Sequence, residues 1–410
     1  MSRKFIVRLK TALRHQSRLY YNIITPVYAL YRNGKLNRFR RKYGFDNNAA
    51  CFAAYNCKSY CDSPRLVSEA LHRIRPDAKI TWLFNDVEAA KKKFDIPDYV
   101  ECRYALSDEG LRALACSRIL VDNFSKSHYL KIAFPQQVYL QVWHGDRAFK
   151  KIGLDTKTPR NYLLEQDCSM VVVGSDYGEM QFRSAFRYKG EFLRVGCPRN
   201  DILLRNDPEE AKNIRAKLGI EDDVCCLVYA PTFRDRASLK RDKQRMPLDL
   251  SRALDTLERV SGKKWVCLLR THYLSFGIRE DGVDTRIRNV TAHPEMMELL
   301  KIGDALITDY SSCAGDFALT GRPVYLYQDD LEDYANNDRE LYFDMKDSPY
   351  WVATNPEELD QLIEKCTSEA AQENCRAILD FYNTDESGHA AEAVAEYLAK
   401  KMDEAKGEKK

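Results

Sequence analysis

A chain of 410 residues with 44% hydrophobic and 11% aromatic content can bury sizeable cores, and its length favours two domains over one. The formal charge of +3 conceals an uneven distribution: Met1 to Phe45 carries 12 Lys/Arg and no Asp/Glu, which makes the head +12 and the remainder −9. An acidic body without a basic-aromatic module weighs against a nucleic-acid binder.

In the head, Phe5, Ile6, Leu9 and Leu13 recur at helical spacing, with Arg8, Lys10, Arg14 and Arg18 mostly on other faces. That is the composition of a helix lying on an anionic membrane surface. The following "LYYNIITPVYALY" is interrupted by Pro26 and is far shorter than the roughly 20 residues that span a bilayer. Packing of the head on its own domain is the competing expectation. No small-residue cleavage site follows a clean apolar core, which argues against a signal peptide. The 13 cysteines form no CxxC pair and read as reduced, mostly buried hydrophobes in a cytosolic protein.

After Phe45 come the apolar runs "AACFAAY", "ITWLF", "RILVD", "VYLQVW" and "SMVVVG", separated by helical stretches such as Pro64 to Ile74 and Tyr177 to Phe186. A second series, "VCCLVYA", "WVCLLR", "DALITDY" and "PVYLY", alternates with helices at Pro247 to Val260 and Pro294 to Lys301. Runs that are apolar throughout, with helices between, predict parallel sheets covered on both faces. The fold class is therefore α/β, with two doubly wound Rossmann-like domains and a basic N-terminal helical segment. The expected divisions are residues 1–45 (membrane-associating segment), 46–197 (N-terminal domain, acceptor side), 198–380 (C-terminal domain, donor side) and 381–410 (helix and charged tail). The hinge is expected in "VGCPRNDILLRNDPEE".

In such sheets ligands bind at the carboxyl ends of strands, and two domains place that site in the cleft between them. The polar residues of interest do follow strands. His144-Gly145 leaves "VYLQVW", with Arg147, Lys150 and Lys151 just beyond as candidate acceptor or phosphate contacts. Arg234 follows "LVYAPTF", and Arg270 and His272 follow "WVCLL". In "GDALITDYSSCAGDFALTGRPVYLY", Thr308 and Asp309 lead to Ser311 and Ser312, where hydroxyls at a helix start can hold an anion or can simply cap the helix. His293-Pro294-Glu295 reads as a structural helix start. Neither GxGxxG nor GxxxxGK[ST] is present, against classical dinucleotide and P-loop sites.

"WHGDRAFKKIGLD", "VGCPRNDIL", "APTFRD", "LLRTHYL" and "LLKIGDALITDYSSCAGDFALTGRPVYLY" resemble, in order and approximate spacing, motifs of the CDP-glycerol glycerophosphotransferase family of teichoic acid synthesis, over roughly Ala49 to Trp351. The resemblance implies a GT-B-like architecture in a bacterial cell-wall or capsule enzyme. It also implies transfer of an alditol phosphate from a CDP-activated donor to a lipid-linked glycan or polymer at the cytoplasmic membrane face, with release of CMP. Carried over residue by residue, the family's two histidines fall on His144 and His272, and its donor-phosphate segment on Thr308 to Ser312, with Asp316 in the helix beyond. Arg234 and Arg270 would neutralise donor charge, and His144 would be the base, with Asp146 and Asp316 next in line. No cofactor or metal ligand set is expected. Where the family often reads "WHGTPLKKIG", this chain has Asp146-Arg147 in the middle. A CDP-ribitol or nucleotide-sugar transferase, and a membrane-associated scaffold without turnover, are the alternatives.

Overall fold

The computed structural model describes residues 25–124, 134–156, 168–232, 248–271, 284–334 and 340–407. Two all-parallel sheets carry the chain. The first contains β1 (Asp46–Ala53), β2 (Lys79–Phe84), β3 (Val100–Tyr104), β4 (Ser117–Asp122), β5 (Val138–Gln141), β6 (Met170–Val173) and β7 (Glu191–Arg194), in the order β3-β2-β1-β4-β5-β6-β7. The second contains β8 (Cys225–Ala230), β9 (Trp265–Leu269), β10 (Ile287–Asn289), β11 (Ala305–Thr308), β12 (Val324–Tyr327) and β13 (Trp351–Ala353), in the order β10-β9-β8-β11-β12-β13. The two-domain, GT-B-like architecture follows.

Each sheet is doubly wound because its central strands are apolar on both faces. All of Phe52, Ile119 and Leu140 in the first sheet, and Val228, Leu268 and Leu306 in the second, are fully buried. One apolar cluster includes residues of both sheets, so the domains share a packed boundary. The C-terminal helix Ala390–Gly407 returns to the first domain and packs on helix Asp62–Ile74. Its buried Ala391, Val394, Ala395, Leu398 and Met402 recur at three to four residues and form the packing stripe.

The second half of the basic head is an ordinary part of the first domain. Helix Thr25–Tyr43 carries Pro26 as the second of its described residues. It buries Ala29 and Leu36, and Lys35 pairs with Asp108 at 2.7 Å. For these residues packing on the domain is what occurs. Residues 1–24, which carry the expected apolar stripe, lie outside the described residues. The segment Cys197–Leu204, expected as a hinge, consists of short buried helical turns with Pro198, Arg199, Asn200 and Asp201 inside the molecule. None of the 13 cysteines is exposed or in a disulfide.

Candidate functional site

The carboxyl ends of β1, β4 and β5 build one wall. Beyond β5, Trp143 adopts φ 37° with its N–H donating to Gln141 Oε1 at 3.0 Å, and its ring is wedged against Phe182 and Phe186. A tryptophan held in this sparsely populated region re-aims the chain, so that His144 turns back over the sheet edge. There His144 Nδ1 lies 2.6 Å from the Asn123 carbonyl oxygen. A carbonyl can only accept, so Nδ1 carries the hydrogen and, in the neutral ring, Nε2 carries the lone pair. Phe124 stacks on the imidazole at 5.5 Å and Tyr55 meets it edge-on at 5.6 Å. Burial lowers the His144 pKa, with the Asn123 carbonyl opposing that shift. The result is a neutral imidazole with its basic nitrogen fixed at Nε2.

Tyr55 owes its place to three successive left-handed residues, Tyr55, Asn56 and Cys57, at the exit of β1. Such a run is costly for L-residues and is held by hydrogen bonds of Tyr55 at one end and by the Cys57 carbonyl, which accepts from the Asn85 N–H at 2.7 Å, at the other. The Tyr55 N–H donates to Asn123 Oδ1 at 2.8 Å and its hydroxyl donates to Asp62 Oδ2 at 2.7 Å.

The facing wall comes from β8, β9 and β11. Thr308 is fully buried and its hydroxyl donates to the Ala230 carbonyl at 2.7 Å. Asp309 is 4% exposed and accepts from the backbone N–H of Thr232 at 2.9 and 3.0 Å and of Tyr310 at 2.5 Å. Both were expected to bind donor, and in this structure their side chains brace the strand exits. Ser311 and Ser312 remain partly exposed at the start of helix Cys313–Phe317. The Ser312 hydroxyl makes no capping bond to that helix, which disfavours the purely structural reading of this serine. Partly buried Arg270 commits Nη1 to the His293 carbonyl at 2.6 Å. His293 itself pairs with Glu298 at 2.9 Å and belongs to the framework.

The walls meet where an ideal Cβ on Gly145 would stand 3.1 Å from the Ser312 hydroxyl. The structure therefore brings the His144 loop and the Ser311-Ser312 turn together. Lys150 and Lys151 run on from this junction to the second domain, where Lys150 bridges Leu341 and the Lys151 N–H donates to the Glu340 carbonyl at 2.9 Å.

Arg147 and Asp316, expected as ligand contacts, pair with each other. Arg147 is 0% exposed, and its Nη2 donates to Asp316 Oδ1 and to Glu386 Oε1, each at 3.0 Å. The other Asp316 oxygen accepts from Arg199 at 2.7 Å, and Asn200 donates to Glu386 at 2.7 Å. Asp146, the reserve base, is also 4% exposed and accepts from the Ser175 hydroxyl at 2.5 Å. Across the boundary, Glu295 accepts from the Asp62 N–H at 2.8 Å, with Arg65 at 3.7 Å. Burial pushes Glu386 up to about 7. Of the expected site residues, Arg234 and His272 lie outside the described residues. Sequence reasoning missed Tyr55, Asn123, Arg199 and Glu386. The motif "VGCPRND" was the one signal for Arg199, whereas nothing local marks Glu386.

The model of the family described as CDP-Glycerol:Poly(glycerophosphate) glycerophosphotransferase matches residues 35–400. The chain is 30% identical over 367 residues to a teichoic acid poly(glycerol phosphate) polymerase of Bacillus spizizenii, covering 85% of this chain and 91% of that protein. It is 29% identical over 372 residues to a protein of the same description in Staphylococcus epidermidis, covering 86% of this chain but only 50% of that protein. Among solved structures, the wall teichoic acid polymerase TagF superposes with a TM-score of 0.77 at 25% identity, covering 98% of this chain and 99% of that chain.

Proposed function

The chain belongs to the CDP-glycerol:poly(glycerophosphate) glycerophosphotransferase family, and from that premise we propose that it moves an alditol phosphate from a CDP-alditol, with glycerol as the alditol, to a hydroxyl of a membrane-linked acceptor. The observation that supports this most directly is the meeting of the His144 loop with the Ser311-Ser312 turn across the domain boundary. A transfer between two substrates needs a base for one and an anion cradle for the other, within one bond-making distance.

The donor pyrophosphate rests against the hydroxyls of the Ser311-Ser312 turn, with Arg270 neutralising charge. The acceptor hydroxyl donates to His144 Nε2. Its oxygen attacks the phosphorus that carries the alditol, the bond from that phosphorus to the bridging oxygen breaks, and CMP leaves with the bridging oxygen. The hydroxyl proton ends on Nε2, so the imidazole becomes a cation that keeps its Nδ1 bond to the Asn123 carbonyl. Preorganised charge and positioning supply most of the acceleration in phosphoryl transfer. His272 and Arg234 keep the donor-side roles that their motifs imply.

The enzyme acts at the inner face of the cell membrane. Val27, Leu30 and Tyr31 lie at helical spacing on helix Thr25–Tyr43 and are exposed, Leu30 at 73%. Arg38, Arg41 and Lys42 are exposed on the same helix. This favours an interfacial attachment with cations over anionic headgroups. No helix among the described residues is long and apolar enough to cross a membrane. The test is incubation with CDP-glycerol and acceptor-bearing membranes: CMP release that requires both supports the reading, and release of UDP or GDP from nucleotide sugars instead overturns it.

A further inference from the structure

Arg147 is buried among carboxylates that come from distant parts of the chain, and it lies three residues beyond His144. We propose that Arg147 and Asp316 form a positioning pair that sets the His144 imidazole in register with the Ser311-Ser312 turn, so that base and donor cradle stand one transfer apart. This inference rests on the function proposed above.

Two close approaches, one helical turn apart, define the register. At the first, Gly145 lies against Ser312, where a Cβ would come within 3.1 Å of the hydroxyl oxygen. At the second, Gly315 lies against Arg147, where a Cβ would stand 3.0 Å from both Cβ and Cδ of the arginine. Contacts of 3.0 Å are tighter than ordinary packing, so any larger residue at 315 must displace the Arg147 side chain. The loop His144–Arg147 is therefore laid along Ser312–Asp316, with glycines removing the steric obstacle at both ends. The ion pair closes the second contact. Asp316 holds Arg147 at 3.0 Å through one oxygen and Arg199 at 2.7 Å through the other, and Arg199 also lies 3.6 Å from Asp62, whose Oδ2 accepts from the Tyr55 hydroxyl. Tyr55 touches the His144 ring, so the pair reaches the imidazole by two routes, the loop and the aromatic contact.

One detail separates positioning from mere burial of a favourable charge. Arg147 reaches both Asp316 and Glu386 through the same Nη2, while Nε and Nη1 make no hydrogen bond. A side chain placed for bidentate pairing would use its fork. This one makes its hydrogen bonds through one nitrogen, with Nη1 facing Asp146 Oδ2 at 3.6 Å as a charge contact only, a task that a lysine ammonium can perform.

The test uses full-length Arg147→Lys, Arg147→Met and Gly315→Ala proteins. It reads single-turnover CMP release from CDP-glycerol with acceptor, CDP-glycerol affinity by calorimetry, and amide exchange over residues 143–149. A misplacement of about 1 Å can cost on the order of 10²-fold in rate. Arg147→Met and Gly315→Ala are accordingly expected to lose about 10- to 100-fold in single-turnover rate, with donor affinity within about threefold of wild type. Arg147→Lys should recover most of the rate. Exchange over 143–149 should quicken in Arg147→Met and Gly315→Ala and return toward wild type in Arg147→Lys. Folded Met and Ala variants with wild-type rates, or a rate loss matched by an equal loss of donor affinity, would overturn the assignment. Should Arg147→Met not fold, Gly315→Ala and Arg147→Lys decide by the same readouts. If the wild type turns over no CDP-alditol, the proposed function fails while the exchange measurement still decides the docking: unchanged exchange in every variant sinks it.

Discussion

On the proposed mechanism, replacing His144 by alanine removes the base but leaves the donor cradle in place, because Ser311, Ser312 and Arg270 belong to the other wall. Positioned general bases contribute about 10²–10⁴-fold, or roughly 3–5 kcal/mol of barrier at 1.36 kcal/mol per tenfold. The loss should fall on the single-turnover rate, with CDP-glycerol affinity within about twofold of wild type. The pH dependence is a sharper signature. An imidazole with the ordinary pKa of about 6.5 is already some three-quarters neutral at pH 7, and burial lowers the His144 value further. The wild-type rate should therefore be flat near neutrality and fall only below about pH 6.5, as Nε2 becomes protonated. Stability should follow the same window. The unfolded chain takes up the proton first, so the folded state loses stability as pH drops below the unfolded pKa. Stopped-flow single-turnover measurements between about pH 5 and 8 compare wild type with His144→Ala. An acidic limb that persists in His144→Ala, or a rate within about threefold of wild type, would refute the assignment of this histidine as base.

The serine pair Ser311→Ala with Ser312→Ala should weaken CDP-glycerol binding by calorimetry more than His293→Ala does, since His293 is spent on Glu298. Equal damage from His293→Ala in a folded protein reverses that ranking. Asp309→Ala strips the acceptor from the Thr232 and Tyr310 N–H groups and should cost about 1–3 kcal/mol in denaturant unfolding. A midpoint equal to wild type would show that the strand exits brace themselves without it. Glu386 binds its proton more tightly folded than unfolded, so wild-type stability should fall as pH rises from about 4.5 through about 7. Glu386→Gln should flatten that slope, and an unchanged slope would assign it to another group. Deleting residues 1–24 should reduce flotation with anionic vesicles, and the binding that remains should weaken with salt. Undiminished, salt-resistant binding would exclude that segment as the attachment.

The sequence was most legible where burial is symmetrical. Nine central strands were marked by continuous apolar runs. The four that were not, β3, β7, β10 and β13, are the four sheet edges. Glu191–Arg194 and Ile287–Asn289 are short, half exposed and polar, as edges tend to be, and carry no run to find. The same contrast divides the site. The placing of His144, Ser311 and Ser312 at strand exits was readable because the motifs flank them. The bracing contacts of Thr308, Asp309 and Arg147 were not, because a strand exit needs bracing as much as it needs chemistry, and residue type alone does not separate the two. Glu386 pairs with a residue 239 positions away, so only the folded chain reveals it.

CMP is the direct product of the proposed alditol-phosphate transfer across this cleft. Purified protein should be given CDP-glycerol, CDP-ribitol, UDP-sugars and GDP-sugars in parallel, each with and without acceptor-bearing membranes, with nucleotide release and label transfer measured together. CMP release from CDP-glycerol should require the acceptor and equal the glycerol phosphate incorporated. Absence of CMP from every CDP-alditol, or nucleoside diphosphate release from a sugar donor in its place, would contradict it.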